Sequence, residues 1–357
     1  MTICTPDGNY PVAVVKDYGD FSDRFRSLVK SRVILIVTHQ RIRKLHGKSL
    51  AEMFDKWPGQ IFWHFVPEGE RSKSLDRWKS IIDKLTSLNA DRDITLLGFG
   101  GGVVLDLTGF AAATFMRGVS WMAVPTTYLA QVDASIGGKT GIDLPRGKNL
   151  VGAFWQPKAV IVNPGVLTTL PKARVFDGLV EMAKVALVAN SKFADQLEAA
   201  PDAAWDFNIS ASPLIIEAIK TKAKLINADV RDRGIRTLLN YGHTLGHALE
   251  AASQYMHISH GIAVREGIRF SLILGEKFGT IKENDLQERT IDLLEGLKIP
   301  RPKVLPPVKL VAKALEIDKK RIGLKTKMVL PVRWGEATIR EIDSRVIKKE
   351  ALTFLAG

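Results

Sequence analysis

Residues 94–110 read ITLLGFGGGVVLDLTGF. The apolar run Ile94–Gly98 predicts a strand, and the segment after the glycines predicts a helix. Gly98, Gly100, Gly101 and Gly102 leave a backbone that a pyrophosphate can approach closely, and the following helix can offer its N-terminus to the anion. The spaced fingerprint G-x-G-x-x-G is not completed, because Val103 stands at the last glycine position. A tight turn with no ligand uses such glycines equally well, so both readings stand at this point.

Outward from this turn, the first half alternates short β-branched runs with amphipathic ones. Strands are expected at Pro11–Val15, Val33–Val37, Ile61–Phe65, Trp121–Val124 and Ala159–Val162. A helix is expected at Ser74–Leu88, with Leu75, Trp78, Ile81, Ile82 and Leu85 on one stripe. Such alternation predicts an α/β, doubly wound, mostly parallel sheet, whose ligands bind at the carboxyl ends of the strands. From Lys172 onward helical patterns dominate: Gly178–Val188, Leu214–Ala228, Thr237–Ala252, Val264–Phe278 and Glu283–Leu297. Met328–Val332 and Ala337–Ile339 suit a small hairpin. Two domains are therefore expected, an α/β domain over 1–171 and a mainly helical one over 172–357.

The 357 residues are 46% hydrophobic and 25% charged, an ordinary globular balance. No apolar run approaches the roughly 20 residues that span a bilayer. The start, MTICTPDGNYPVAVVKDYG, lacks a basic segment followed by an apolar one, so no secretory leader is expected. Cys4 is the single cysteine, which excludes an internal disulfide, fits a cytoplasmic location and leaves His, Asp and Glu for any metal site. The net charge of +13 gathers at residues 39–48, 220–236 and 319–327. No helix-turn-helix, zinc finger or stacking-aromatic motif supports a nucleic-acid surface. A solvated basic face and a site for an anionic small molecule remain.

Residues 124–157, VPTTYLAQVDASIGGKTGIDLPRGKNLVGAFWQP, carry Lys139 and Lys148-Asn149 in two glycine-flanked loops, with Asp133 beside them. Ammonium groups among small residues suit phosphate or carboxylate. In 238–263, LLNYGHTLGHALEAASQYMHISHGIA, His243 and His247 share a helical face, with His257 and His260 beyond a polar break. Four of the seven histidines of the chain thus fall in one stretch. They suit a divalent metal, or else two structural and two surface histidines. Glu181 and Lys184, on one face of GLVEMAKVALVAN, form either a surface ion pair or a metal ligand with its neighbour.

Assembled, these segments resemble the 3-dehydroquinate synthase family of the sugar phosphate cyclase superfamily. The resemblance runs from about Pro67 to Gly335. It is carried by GGGVVLDLTGFAAATFMRG, VPTTYLAQVDASIGGKTGID, GKNLVGAFWQP, GLVEMAK, GIRTLLNYGHTLGHALE and HGIAVREG. It implies an NAD-binding N-terminal domain, a helical C-terminal domain holding zinc or cobalt, and a homodimer acting in the cytoplasm. The implied reaction turns 3-deoxy-D-arabino-heptulosonate 7-phosphate into 3-dehydroquinate and phosphate. Its stages are transient oxidation by NAD, phosphate elimination, re-reduction and intramolecular aldol closure.

By motif, the resemblance makes Glu181, His243 and His260 the metal ligands. His247, Lys139, Lys184, Lys222, Asp133 and Asn240 become catalytic. Lys148, Asn149, Arg236, Arg117 and one of the pair Lys319–Lys320, assigned to Lys320, bind substrate, with Arg117 reaching the neighbouring subunit. NAD contacts fall to Glu70, Lys73, Gly100, Gly101, Gly102, Asp106, Thr126, Thr127, Lys139, Lys148, Thr169 and Leu170. Two departures bear on NAD binding and domain closure: Ala173-Arg174 replace an arginine-glutamate pair, and Asn163 replaces an aspartate. The rival readings are another sugar phosphate cyclase acting on a heptulose 7-phosphate, a metal-dependent polyol dehydrogenase, and a basic nucleic-acid-binding protein.

Overall fold

The computed structural model describes residues 1–6, 8–145, 147–207, 212–253, 258–322 and 325–356, without the side chains of 212 and 317–322. The chain divides into two compact units, Met1–Leu170 with Phe207–Ile219, and Pro171–Asp206 with Lys220–Gly357.

The first unit runs β1 (Thr2–Thr5), β2 (Gly8–Val14), α1 (Ser22–Leu28), β3 (Val33–Thr38), α2 (Gln40–Ala51), β4 (Gln60–Phe65) and α3 (Leu75–Ser87). It continues through β5 (Thr95–Gly100), α4 (Gly102–Thr114), β6 (Ser120–Pro125), β7 (Lys139–Leu144), β8 (Gly147–Phe154) and β9 (Val160–Val162). Seven strands form one sheet in the order β1-β2-β9-β6-β5-β3-β4. Only the β1–β2 pair is antiparallel. All six residues of β5 are buried, as a central parallel strand covered on both faces requires. From β3 the chain moves to β4 on one side, and from β5 to β6 on the other. The strand order therefore reverses beside the carboxyl end of β5, where the glycine turn lies. Tyr18, Phe25, Phe54, Phe99, Met122 and Ile161 belong to the core beneath the sheet.

Each strand expected in this half forms. Helix α3 forms too, but Leu75 at its first position is exposed, and packing rests on Ile81 and Leu85. Lys139 and Lys148 do not lie in loops. They sit on the antiparallel hairpin β7–β8, whose many glycines and polar residues hid its alternation.

The second unit holds α5 (Lys172–Ala189), α6 (Ser191–Ala199), the end of α7 (Ser212–Ala228), α8 (His243–Ala252), α9 (His260–Lys277), α10 (Leu286–Gly296), α11 (Val308–Ile322), the hairpin β10 (Lys325–Arg333) with β11 (Glu336–Asp343), and α12 (Ser344–Ala356). The helix expected at Thr237–Ala252 is broken in two. A 3₁₀ turn covers Ile235–Asn240, and α8 begins only at His243, because Gly242 takes the left-handed conformation (φ +78°). That break starts α8 on the histidine itself. Helices α8 and α9 then cross closely: a Cβ on Gly267 would lie 1.7 Å from the Gly242 carbonyl oxygen. Only glycine fits at that crossing. No described helix is long and apolar enough to cross a membrane.

Candidate active site

In the second unit three helices deliver one side chain each to a common point. Glu181 comes from the middle of α5, where the surrounding positions are apolar and buried. His243 and His260 are the first residues of α8 and α9. The Glu181 Oε1 lies 3.2 Å from His260 Nε2 and 3.6 Å from His243 Nε2. One ligand atom from each residue falls within 4.8 Å of the others. Ligands held ~2.0–2.2 Å from a tetrahedral ion lie roughly 3.3–3.6 Å apart. The two carboxylate–imidazole separations bracket that spacing, and the longer one exceeds a good hydrogen bond. A nitrogen and oxygen donor set without sulfur suits zinc or cobalt.

The outer contacts fix which imidazole nitrogen faces inward. His243 Nδ1 lies 3.1 Å from the Tyr241 carbonyl oxygen, and His260 Nδ1 lies 3.3 Å from Glu250 Oε2. Each ring donates Nδ1–H outward, which leaves Nε2 free to coordinate. Asp177 Oδ1 accepts the Gly261 backbone N–H at 2.8 Å, anchoring the start of α9. Arg174, one of the departing residues, pairs with that same Asp177 at 3.4 Å.

Lys184 contacts the Glu181 carboxylate one turn along α5, and both side chains are buried. Burial alone raises the Glu181 carboxyl, but Lys184 and His260 outweigh it and hold the group down to about 2. His243 is lowered well below the ordinary imidazole range by burial, then by Lys184, His247 and His260. Burial also lowers His260, but hydrogen bonds to Glu181 and Glu250 raise it to about 10. Glu181 thus stays anionic and His243 neutral, the forms a divalent cation needs, whereas His260 carries a proton on Nε2 that a bound cation displaces.

His247 extends the cluster, its ring 5.1 Å from that of His243, and it is exposed. Lys222 on α7 and Arg236 in the 3₁₀ turn are buried cations of the same unit. Arg236 donates to the Val230 carbonyl at 2.8 Å. Asn240 is exposed at the end of that turn. Lys320 falls within α11, with its side chain outside the described residues, as is that of Lys319; His257 also lies outside them.

The first unit gathers a second set. Gly101 caps α4, and a Cβ there would meet Thr127 Cγ2 at 2.9 Å, so the turn stays open only as glycine. Gly100 ends β5 and Gly102 begins α4. At the end of β6, the Thr126 N–H donates to the Gly100 carbonyl at 2.9 Å. The buried Thr126 hydroxyl has no partner among the described residues. A buried polar atom left open beside a glycine turn and a helix N-terminus fits a dinucleotide's phosphates. Thr127 accepts from Ala130 N–H at 3.2 Å and starts a turn of π-helix, Ala130–Ala134, that carries Asp133. Such turns concentrate at functional sites.

Lys73 donates to Asp106 at 2.5 Å and also contacts the Asn149 amide oxygen. Lys148 pairs with Glu70 at 3.4 Å. Burial works against the Lys73 ammonium, but Asp106 raises it beyond its usual range. Glu70, Lys73, Asp106, Lys148 and Asn149 therefore share one neighbourhood, while Lys139 stands exposed at the start of β7. Thr169 bonds His46 Nε2 at 2.8 Å, with Leu170 closing the same 3₁₀ turn. Asn163 caps that turn by accepting from Gly165 N–H at 2.9 Å, so the amide does a capping job an aspartate also does. In the loop after α4, Met116 (φ +47°), Arg117 (φ +67°) and Gly118 (φ +125°) are all left-handed, with Arg117 exposed.

Sequence reasoning missed Glu250, Tyr241 and Asp177. Glu250 and Asp177 are acids in otherwise apolar helical runs, which was the available signal. The Tyr241 contact uses a backbone carbonyl and left none.

Comparison with known proteins gives concordant results. The model of the 3-dehydroquinate synthase N-terminal domain matches residues 63–177, and that of the C-terminal domain matches residues 178–321. The 3-dehydroquinate synthase of Microcystis aeruginosa is 34% identical over 99% of this chain and 98% of its own. That of Halorhodospira halophila is 39% identical over 93% and 92%. Among solved structures, the chain is similar to a 2-epi-5-epi-valiolone synthase from Streptomyces hygroscopicus with NAD+ and Zn2+ bound. The TM-score is 0.85 at 25% identity, covering 97% of each chain. A 2-deoxy-scyllo-inosose synthase complexed with carbaglucose-6-phosphate, NAD+ and Co2+ shares the fold, with TM-score 0.87 at 23% identity over 99% of both.

Proposed function

The chain belongs to the 3-dehydroquinate synthase family, and from that premise we propose that it converts 3-deoxy-D-arabino-heptulosonate 7-phosphate to 3-dehydroquinate and phosphate, with NAD and a divalent metal as cofactors. The observation that carries the reading is the convergence of Glu181, His243 and His260.

Glu181 Oε1, His243 Nε2 and His260 Nε2 would hold zinc or cobalt. The metal, when bound, favours the ionised form of a substrate hydroxyl. The glycine turn, Thr126, Thr127, Glu70, Lys73, Asp106, Thr169 and Leu170 would hold NAD. NAD, when bound, accepts a hydride and later returns it, so no net redox occurs. The chain's own side chains then do the rest. Lys184 keeps Glu181 ionised, as the pair's contact supports. Lys139, Lys148, Lys222, Arg236 and Lys320 neutralise the substrate's phosphate and carboxylate, and fix its orientation with Asn149 and Asn240. Orientation alone is worth up to ~7–11 kcal/mol in favourable intramolecular cases. His247 moves a proton at the departing phosphate through its exposed imidazole, and Asp133 orients a substrate hydroxyl.

The test combines purified protein with the heptulosonate phosphate, NAD and zinc, following phosphate, the carbocyclic product and NADH absorbance. Phosphate release with product and no lasting NADH is expected. Lasting NADH without phosphate would make it a dehydrogenase. Turnover only of a heptulose phosphate lacking the carboxylate would make it a different cyclase.

We further propose a homodimer in which Arg117 serves the partner's site. Mixing Arg117→Ala with Lys222→Ala protein should restore activity, because a mixed dimer regains one intact site. No recovery in a confirmed mixed dimer removes Arg117 from that role.

A further inference from the structure

Asp143 belongs to none of the residue sets above, yet it touches both Asn149 of the substrate set and Lys73 of the NAD set. The β7–β8 hairpin pairs Ile142 with Val151 and Leu144 with Gly147, and the register slips between Ile142 and Leu144. Asp143 alone on β7 faces Lys148, Asn149 and Leu150 on β8, so the extra residues of the irregularity belong to β8, Asn149 among them. A bulge bends the strand that carries the extra residues and leaves them out of the regular ladder. Here the Asp143 Oδ1 accepts the backbone N–H of Asn149 at 2.8 Å. The backbone N–H of Asp143 in turn donates to the Lys73 carbonyl at 2.7 Å. The Lys73 ammonium closes the ring by donating to the Asn149 amide oxygen and to Asp106.

Asn149 needs this support. Its φ is +54°, a left-handed conformation that asparagine tolerates better than most residues but does not prefer. With its N–H tied to Asp143, the residue is held in that conformation and its amide oxygen stays against Lys73. Without the tie, Asn149 has one fewer bond holding it in that conformation.

We infer that Asp143 is a positioning residue that holds Asn149 in its left-handed conformation, and through it the Lys73 ammonium, for NAD and the anionic substrate. The inference rests on the proposed dehydroquinate synthase reading. What positions is the oxygen acceptor of Asp143, so an amide at this position can serve.

The experiment compares wild type, Asp143→Ala and Asp143→Asn by NAD+ titration and by kinetics with the heptulosonate phosphate, with thermal melting of all three. In Asp143→Ala the NAD+ Kd and the substrate KM are expected to rise about fivefold, the effect of losing one hydrogen bond. The kcat is expected to stay within about twofold, and Asp143→Asn to return both constants to near wild type. Unchanged Kd and KM in Asp143→Ala overturn the inference, as does equal impairment in Asp143→Asn. If Asp143→Ala unfolds, Asp143→Asn decides: wild-type constants support the acceptor role, and raised constants refute it. A wild-type protein that binds no NAD+ and releases no phosphate sinks the functional reading instead, a result separate from any difference among the variants.

Discussion

The glycine turn of the first unit and the histidine triad of the second are assembled in opposite ways. Gly100, Gly101 and Gly102 are adjacent in the chain and join one strand to the helix that follows it. Their geometry is local, and the neighbouring strand adds only Thr126 and Thr127. The triad draws on α5, α8 and α9, and Glu181 and His260 are 79 positions apart. Its geometry exists only because α8 and α9 cross closely where Gly242 meets Gly267. A local site tolerates loosening elsewhere in its unit, whereas a site gathered from several helices fails when any crossing shifts.

Variants can break this contrast, the most damaging first. His260→Ala should lose tightly bound metal, because two protein ligands make a weak site, and activity should fall about 10³-fold. Wild-type metal content by elemental analysis would remove His260 from the ligand set. Lys222→Ala should lower kcat/KM roughly 10²-fold, the loss of one charged substrate contact, with metal and NAD retained. Normal kinetics would show that this buried lysine serves the fold alone.

Glu250→Ala should weaken metal affinity about 10–100-fold, measured by chelator competition, because the His260 ring loses its outward acceptor. An unchanged affinity would mean that packing alone orients the ring. The sharpest comparison is a matched pair of alanines. Gly101→Ala should weaken NAD binding about tenfold by closing the turn, leaving metal content intact. Gly267→Ala should destabilise the protein by about 1–3 kcal/mol through overpacking, lowering both the melting temperature and metal content. Should each variant affect both ligands alike, the distinction between a local and an assembled site fails.

The sequence by itself determined what depends on neighbours along the chain. The six strands of the first half, the helical texture after Lys172 and the glycine turn all follow from local periodicity, which the backbone obeys before any tertiary contact forms. The grouping of Glu181 with His243 and His260 came from a family resemblance, since spacing along one helix favours pairing His243 with His247. Tertiary structure alone decided the rest. The left-handed break at Gly242 starts α8 on His243, the Gly267 crossing brings His260 up to it, and Glu250 and Asp177 hold that arrangement from behind. These contacts join residues on different helices, and a side chain's partner across a helix crossing leaves no periodic trace in the chain that carries it.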